Sequence, residues 1–173
     1  MKAGILESVG RLVVREVPDP EADMGSVVLR VKVCAICGTD LRIYRYGDRR
    51  VKLPHILGHE ISGELTATGE GVTNYKVGER VAVTPRIACG RCFYCQKGQF
   101  NYCLNASTFG YQLPGGFAEY LRVPPDGLSF GVLQPVPDAL TFEVAALAEP
   151  LSCCIRAQRL SRVSPGDTIV VVG

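Results

Sequence analysis

Tryptophan is absent from the 173 residues and histidine is scarce, with only two. The first absence excludes nothing. The second makes each imidazole a residue to place. Long apolar runs are missing too: nothing approaches the ~20 consecutive residues that a membrane-crossing helix needs. Neither sign of charge dominates. Nineteen Lys and Arg against seventeen Asp and Glu leave +2, too little to point to nucleic acid or a membrane surface as partner. The opening MKAGILESVG carries no apolar leader, so a cytoplasmic, reducing location is expected. No internal repeat and no low-complexity segment is present. What remains is the composition of a soluble globular protein, 47% hydrophobic and 21% charged, long enough for one ordinary domain with a sizeable core. Nineteen glycines and eleven prolines, spread along the chain, predict many turns and short strands.

Cysteine is plentiful. Four of the eight stand at Cys89, Cys92, Cys95 and Cys103, in the run CGRCFYCQKGQFNYC. A C-x2-C-x2-C-x7-C cluster is most simply explained by a dipositive metal. Zn²⁺ takes four tetrahedral thiolates, and closed four-cysteine sites are structural. Gly90 and Gly98 supply tight backbone turns. Two rivals stay open: disulfides, disfavoured by the expected compartment, and iron or an iron–sulfur cluster. The bacterial ferredoxin run places its fourth cysteine earlier and follows it with proline, whereas Leu104 follows Cys103 here.

The first two thirds read as strands: residues 1–6 and 11–17 around a turn at 7–10, then 26–35, 61–68, 80–83 and 118–123. Gly38-Thr39-Asp40 opens a short helical turn to Tyr44, with Thr39 or Asp40 as cap. Pro124–Gly127 reads as a turn. Thr141 caps a helix to Ala148, Pro150 breaks or kinks it, and 151–160 continues helical. After a turn at Ser164–Asp167 comes Thr168-Ile-Val-Val-Val172, then Gly173. That apolar run suits a strand buried on both faces of a parallel sheet, the way a dinucleotide-binding βαβ unit begins. The chain is therefore expected to be a fragment: one mostly β domain with a few helices over 1–163, and the start of a truncated cofactor domain at 164–173. A complete domain that pairs its own last strand is the alternative.

Cys37 lies just after a strand, His59 just before one, and Glu149 at a helix break. A thiolate, an imidazole and a carboxylate suit an open zinc site with a fourth position for water or substrate. Asp40 and Glu60, beside them in sequence, suit orienting His59 or tuning the metal. Singly these signals are weak, since a cysteine at a strand end is most often a small core residue. Cys34, Cys153 and Cys154 are assigned to packing. His55 is expected at the surface; Tyr44 and Phe109 are candidates for a pocket wall, though more often such aromatics are core or surface.

Taken in order, Cys37-Gly-Thr-Asp40, Gly58-His-Glu60, the cysteine lobe 89–103, Gly116-Phe-Ala-Glu-Tyr120 and Glu149-Pro150 resemble the N-terminal catalytic domain of zinc-dependent medium-chain dehydrogenases. That resemblance implies a GroES-like β-barrel, with the Rossmann domain missing. It also implies a structural zinc on the four clustered cysteines and a catalytic zinc on Cys37, His59 and Glu149. Glu149 stands where alcohol dehydrogenases place a second cysteine, as in the sorbitol and threonine dehydrogenase branch. Glu60 would approach that zinc, and Thr39 would take the proton of the substrate hydroxyl. The implied reaction oxidises an alcohol or polyol, with hydride passing to NAD or NADP in a full-length, homo-oligomeric enzyme; the fragment alone would be inactive. Many relatives carry a relay histidine five residues after the zinc cysteine. Arg42 stands there, and arginine does not pass a proton at working pH. Pairing with an anionic group of cofactor or substrate, or plain exposure to solvent, are its two readings. Against the enzyme stand a zinc-stapled binding module without chemistry and an iron electron-transfer protein.

Overall fold

In the computed structural model, described for residues 1–172, the strands form three antiparallel sheets, with the main core on the five-stranded one and smaller clusters beside it. β1 (Lys2–Ser8) and β2 (Arg11–Glu16) form a hairpin, and β3 (Val27–Ala35) leads into α1 (Gly38–Tyr46). β4 (His55–Ile56), β5 (Glu60–Thr68), β6 (Arg80–Val83) and β7 (Arg86–Ile87) follow, then α2 (Phe93–Gln96) and a 3₁₀ turn at Phe100–Tyr102. β8 (Ser107–Thr108), β9 (Tyr120–Val123), α3 (Pro125–Phe130), β10 (Leu133–Pro135), α4 (Phe142–Ala146) and α5 (Ala148–Ser161) complete the described elements. The strand orders are β2-β1-β4, β10-β6-β5-β3-β9 and β7-β8.

The five-stranded sheet carries the core. Val27 and Leu29 of β3, Ile61 and Leu65 of β5, Val81 and Val83 of β6, and Leu121 and Val123 of β9 pack around Phe109. Two irregularities in the β3–β5 pairing, at Val28/Leu29 and Val31/Val33, shift the register. Each bulge bends and twists the strand. Beyond them Cys34 faces Ile61 and Ala35 faces Glu60. This register positions the site.

Several boundaries differ from the sequence expectations, each for a physical reason. Cys37, not Thr39 or Asp40, is the N-cap of α1, and Asp40 is the third helical residue of a capping box. The expected turn at Pro124–Gly127 is the start of α3, with Pro125 at its first position, where a missing N–H costs nothing. The helix break falls at Leu147 rather than Pro150. Pro150 sits in the first turn of α5, where N–H groups have no intrahelical partner. Thr141 does cap α4, accepting the Val144 N–H. Residues 168–172 form no strand, and Ile169 to Val172 are exposed, because no described segment offers them a parallel partner. Gly173, read as the first glycine of a cofactor domain, lies outside the described residues.

Candidate metal centres

β3 and β5 run antiparallel with Ala35 opposite Glu60, so the end of one lies beside the start of the other. Cys37 follows β3 by two residues and His59 precedes β5 by one. Side chains leaving those adjacent ends converge. Donor atoms of Cys37, His59 and Glu60 lie within 4.8 Å of one another. His59 is 7% exposed and Glu60 5%, so this is an interior polar cluster.

Asp40 organises it. Its carboxylate is buried and accepts the Cys37 N–H at 3.0 Å and the Gly58 N–H at 3.2 Å. Oδ1 stands 3.5 Å from Nδ1 of His59, and that nitrogen is buried without a hydrogen-bond partner. With Nδ1 turned to Asp40, Nε2 is the nitrogen left for a ligand, as in carboxylate–histidine–metal arrangements. Burial opposes charge on the ring, but the Asp40 carboxylate and the Cys37 sulfur outweigh it and push His59 up to about 9. A pocket that favours positive charge at a buried, incompletely bonded imidazole fits a metal cation.

Glycine geometry holds the cluster tightly. Gly58 has φ +93°, and a Cβ there would lie 2.7 Å from both Cys34 Sγ and Phe117 Cδ1. Gly116 donates its N–H to the Gly58 carbonyl at 2.9 Å, and Phe117 to that of Leu57 at 3.0 Å. The Gly116–Tyr120 motif thus clamps the turn that carries His59.

The second centre is local. β7 and β8 pair as a neck, Arg86 opposite Thr108 and Ile87 opposite Ser107, and the lobe between them bunches Cys89, Cys92, Cys95 and Cys103 with all four sulfurs within 4.8 Å. Cys92 and Cys95 sulfurs are 3.5 Å apart, Cys89 and Cys95 4.0 Å. A tetrahedron with Zn–S of ~2.3 Å has edges of about 3.8 Å, so the cage fits zinc; all eight cysteines of the chain are unbridged. The backbone N–H of Cys89 also points at the Cys103 sulfur, at 3.3 Å. Hydrogen bonds from the backbone at Leu104 and Cys95 hold Cys92 down to about 6. Burial and the neighbouring thiols push Cys95 up to about 12. Four thiols so crowded resist full ionisation among themselves, and a dication offsets that repulsion.

The other expected residues divide. Thr39 is half-buried in the first turn of α1, its N–H donating to Cys37 Sγ at 3.4 Å. Glu149 is not in the convergent group. It lies close by: burial pushes its carboxyl up, with His59 opposing and Glu60 adding to the shift. Arg42 pairs with Asp48 at 2.8 Å while about half of its side chain stays exposed. His55 is half-buried in β4, with Nε2 3.1 Å from the Leu113 carbonyl, so it holds structure rather than standing at the surface. Tyr44 and Phe109 follow the commoner reading of such aromatics. Tyr44 packs beside the Leu6 cluster and donates its hydroxyl to the Gly10 carbonyl, and Phe109 is in the main core. Cys34 packs against the core as expected, burial raising its thiol to about 12. Cys153 and Cys154 are exposed, against expectation, and the Cys153 thiol reaches Glu149 Oε1 at 3.7 Å. Sequence reasoning missed Tyr111, whose ring centroid is 6.2 Å from that of His59; no local pattern singles it out.

This is the arrangement of a zinc-type dehydrogenase domain. A family model described as the alcohol dehydrogenase GroES-like domain matches residues 23–135, and the chain belongs to that family. Sorbitol dehydrogenase of Bacillus subtilis (strain 168) is 36% identical over the whole of this chain and 49% of its own length. A zinc-binding dehydrogenase from Sinorhizobium meliloti 1021, solved with NADP, superposes with TM-score 0.83 at 38% identity, covering 92% of this chain and 45% of that one. The RspB alcohol dehydrogenase of Escherichia coli CFT073, solved with NADH, gives TM-score 0.86 at 34% identity, covering 97% of this chain and 48% of that one. The chain spans about half the length of the curated relatives it matches. The β-rich GroES-like fold expected from the motifs is the fold observed. Among the described residues no helix is long and apolar enough to cross a membrane.

Proposed function

We propose that residues 1–163 form the metal-holding catalytic domain of a zinc-dependent alcohol or polyol dehydrogenase, and that 164–173 open its cofactor domain. The observation that carries this is the meeting of Cys37, His59 and Glu60 beside a buried Asp40. Cys37 and His59 would hold the catalytic zinc, with Glu60 as the carboxylate in contact and Glu149 beside it. Cys89, Cys92, Cys95 and Cys103 would hold a structural zinc. Bound zinc supplies Lewis-acid polarisation of an alcohol oxygen, and the nicotinamide cofactor supplies the hydride acceptor.

The chain's own residues do the rest. Asp40 faces Nδ1 of His59 at 3.5 Å and ties the Cys37 and Gly58 backbones together, which would hold the ring's other nitrogen toward a metal. Thr39, two residues from Cys37 and anchored through its N–H to the sulfur, offers a hydroxyl that would relay the substrate proton, accepting it while passing its own to water. Tyr111 stands beside the His59 ring, with centroids 6.2 Å apart. Support for polyol rather than simple alcohol chemistry comes from the sorbitol dehydrogenase relative.

The test is turnover of alcohols and polyols by the full-length protein with NAD and with NADP, read as nicotinamide absorbance. Activity abolished by Cys37→Ser supports the reading. Two zinc ions without any alcohol oxidation in the full-length protein would overturn it. Residues 1–173 alone are expected to bind both zinc ions and turn nothing over.

A further inference from the structure

Three arginines crowd the end of α1 and the loop after it. Arg42, Arg49 and Arg50 line an open cavity of about 470 Å³ with Gly47 and Asp48. Among the described residues one carboxylate, Asp48, pairs with them. Asp48 accepts Arg42 Nη2 at 2.8 Å, Arg50 Nε at 2.9 Å and Arg50 Nη2 at 2.8 Å, and also the Arg50 N–H at 2.9 Å. Its side chain is 7% exposed, whereas those of Arg42 and Arg50 are 48% and 49% exposed. Arg49 enters none of the ion pairs among the described residues. A single arginine is enough to pair a carboxylate. Here Asp48 is saturated, two guanidinium groups are fixed at its flanks with donors still facing out, and two positive charges are left over.

The cluster abuts the metal centre. The Arg50 guanidinium carbon lies 4.4 Å from the Tyr111 ring centroid, and that ring is 6.2 Å from the His59 ring. Tyr111 is the shared wall. The two steps together put the Arg50 guanidinium within about 11 Å of the His59 ring, close to the ~10 Å screening length of exposed charges in 0.1 M salt, so Arg50 is near enough to act on a molecule seated at His59. Oriented guanidinium forks bind phosphate and carboxylate in paired, charge-assisted hydrogen bonds, and one fixed beforehand loses little freedom on binding.

We propose that Arg42, Arg49 and Arg50 form an anion subsite beside the candidate catalytic centre, which takes a phosphate or carboxylate group of the alcohol substrate. The substrate class is then an acidic hydroxy compound, such as a phosphorylated polyol or a hydroxy acid. This rests on the dehydrogenase reading for the identity of the molecule, but binding of the anion itself does not.

The test uses zinc-loaded full-length protein and inorganic phosphate as probe, followed by titration calorimetry. Saturable phosphate binding that weakens about ten-fold or more in R42Q/R50Q, and in the charge reversal R49E, supports the subsite. Arg49 makes no ion pair among the described residues, so R49E keeps the question answerable if the double variant fails to fold. No saturable binding, or equal affinity in wild type and R49E, overturns the subsite whether or not the protein oxidises alcohols. A second arm compares kcat/KM for a phosphorylated polyol with that for the neutral polyol of the same carbon count. The ratio is expected to fall about ten-fold in R49E. An unchanged ratio together with a raised KM for the dinucleotide overturns the assignment, because the anion would then belong to the cofactor.

Discussion

Nδ1 of His59 and Oδ1 of Asp40 stand 3.5 Å apart in the interior, with two backbone N–H groups held on the same carboxylate. One side chain therefore couples the strand end that carries Cys37 to the turn that carries His59. Asp40→Asn keeps the shape but lets the imidazole turn. Zinc at that centre is expected to weaken about 10–100-fold, with the cysteine lobe unaffected. Chelator competition measures both ions separately.

Gly58 is the tightest point of that turn. Gly58→Ala must accept φ +93° and a methyl 2.7 Å from Cys34 Sγ and Phe117 Cδ1. Strain and overpacking together are expected to destabilise the protein by about 2–4 kcal/mol. That corresponds to a fall in Tm of roughly 4–16 °C for a chain of this size. Thermal unfolding checks it, and an unchanged Tm would show that the turn relaxes freely.

Two carboxylates compete for the third ligand position. Glu60 is in the convergent group and Glu149 is not. Glu60→Gln is expected to lower zinc affinity at least about ten-fold, and Glu149→Gln about three-fold or less. The reverse order, measured with a zinc-sensitive dye, would place Glu149 as the ligand.

Asp48 gives a pH dependence. Hydrogen bonds from Arg50, with Arg42 adding to them, hold its carboxyl well below the usual carboxylate range against the cost of burial. The folded pKa thus lies below the unfolded value of about 3.9, so its contribution is complete above that value and lost as pH falls toward the folded one. With both arginines half-exposed, Asp48→Asn is expected to cost only about 1 kcal/mol near neutrality. The difference between wild type and variant should shrink as pH drops below about 4. Urea midpoints from acid to neutral pH read this directly; a gap that stays constant through the acid range contradicts it.

How much of this was visible in the residues depends on distance along the chain. The cysteine lobe was legible because its four ligands fall within one short loop, where spacing alone constrains geometry. β3, β5 and β6 were legible from alternation and apolar content. The meeting of Cys37 with His59 was legible only weakly, from their places at strand ends, because it comes from the β3–β5 register and its bulges, which local pattern does not encode; the family motifs strengthened it. Tyr111 was invisible for the same reason. α3 was mistaken for a turn because Pro124-Pro125-Asp126-Gly127 carries turn residues that also start helices. Thr168–Val172 has the composition of a buried strand, but a strand needs a neighbour, and none of the described residues supplies one.

Metal content is the most direct measurement. Zinc-loaded protein, dialysed and assayed by elemental analysis, is expected to hold two zinc ions per chain. Cys37→Ser and Cys103→Ser should each hold one, and only Cys103→Ser should lose about 10 °C or more of Tm, since a structural zinc contributes folding energy outright. Retention of both ions in Cys37→Ser, or a single ion in the unmodified chain, would contradict the existence of the open centre.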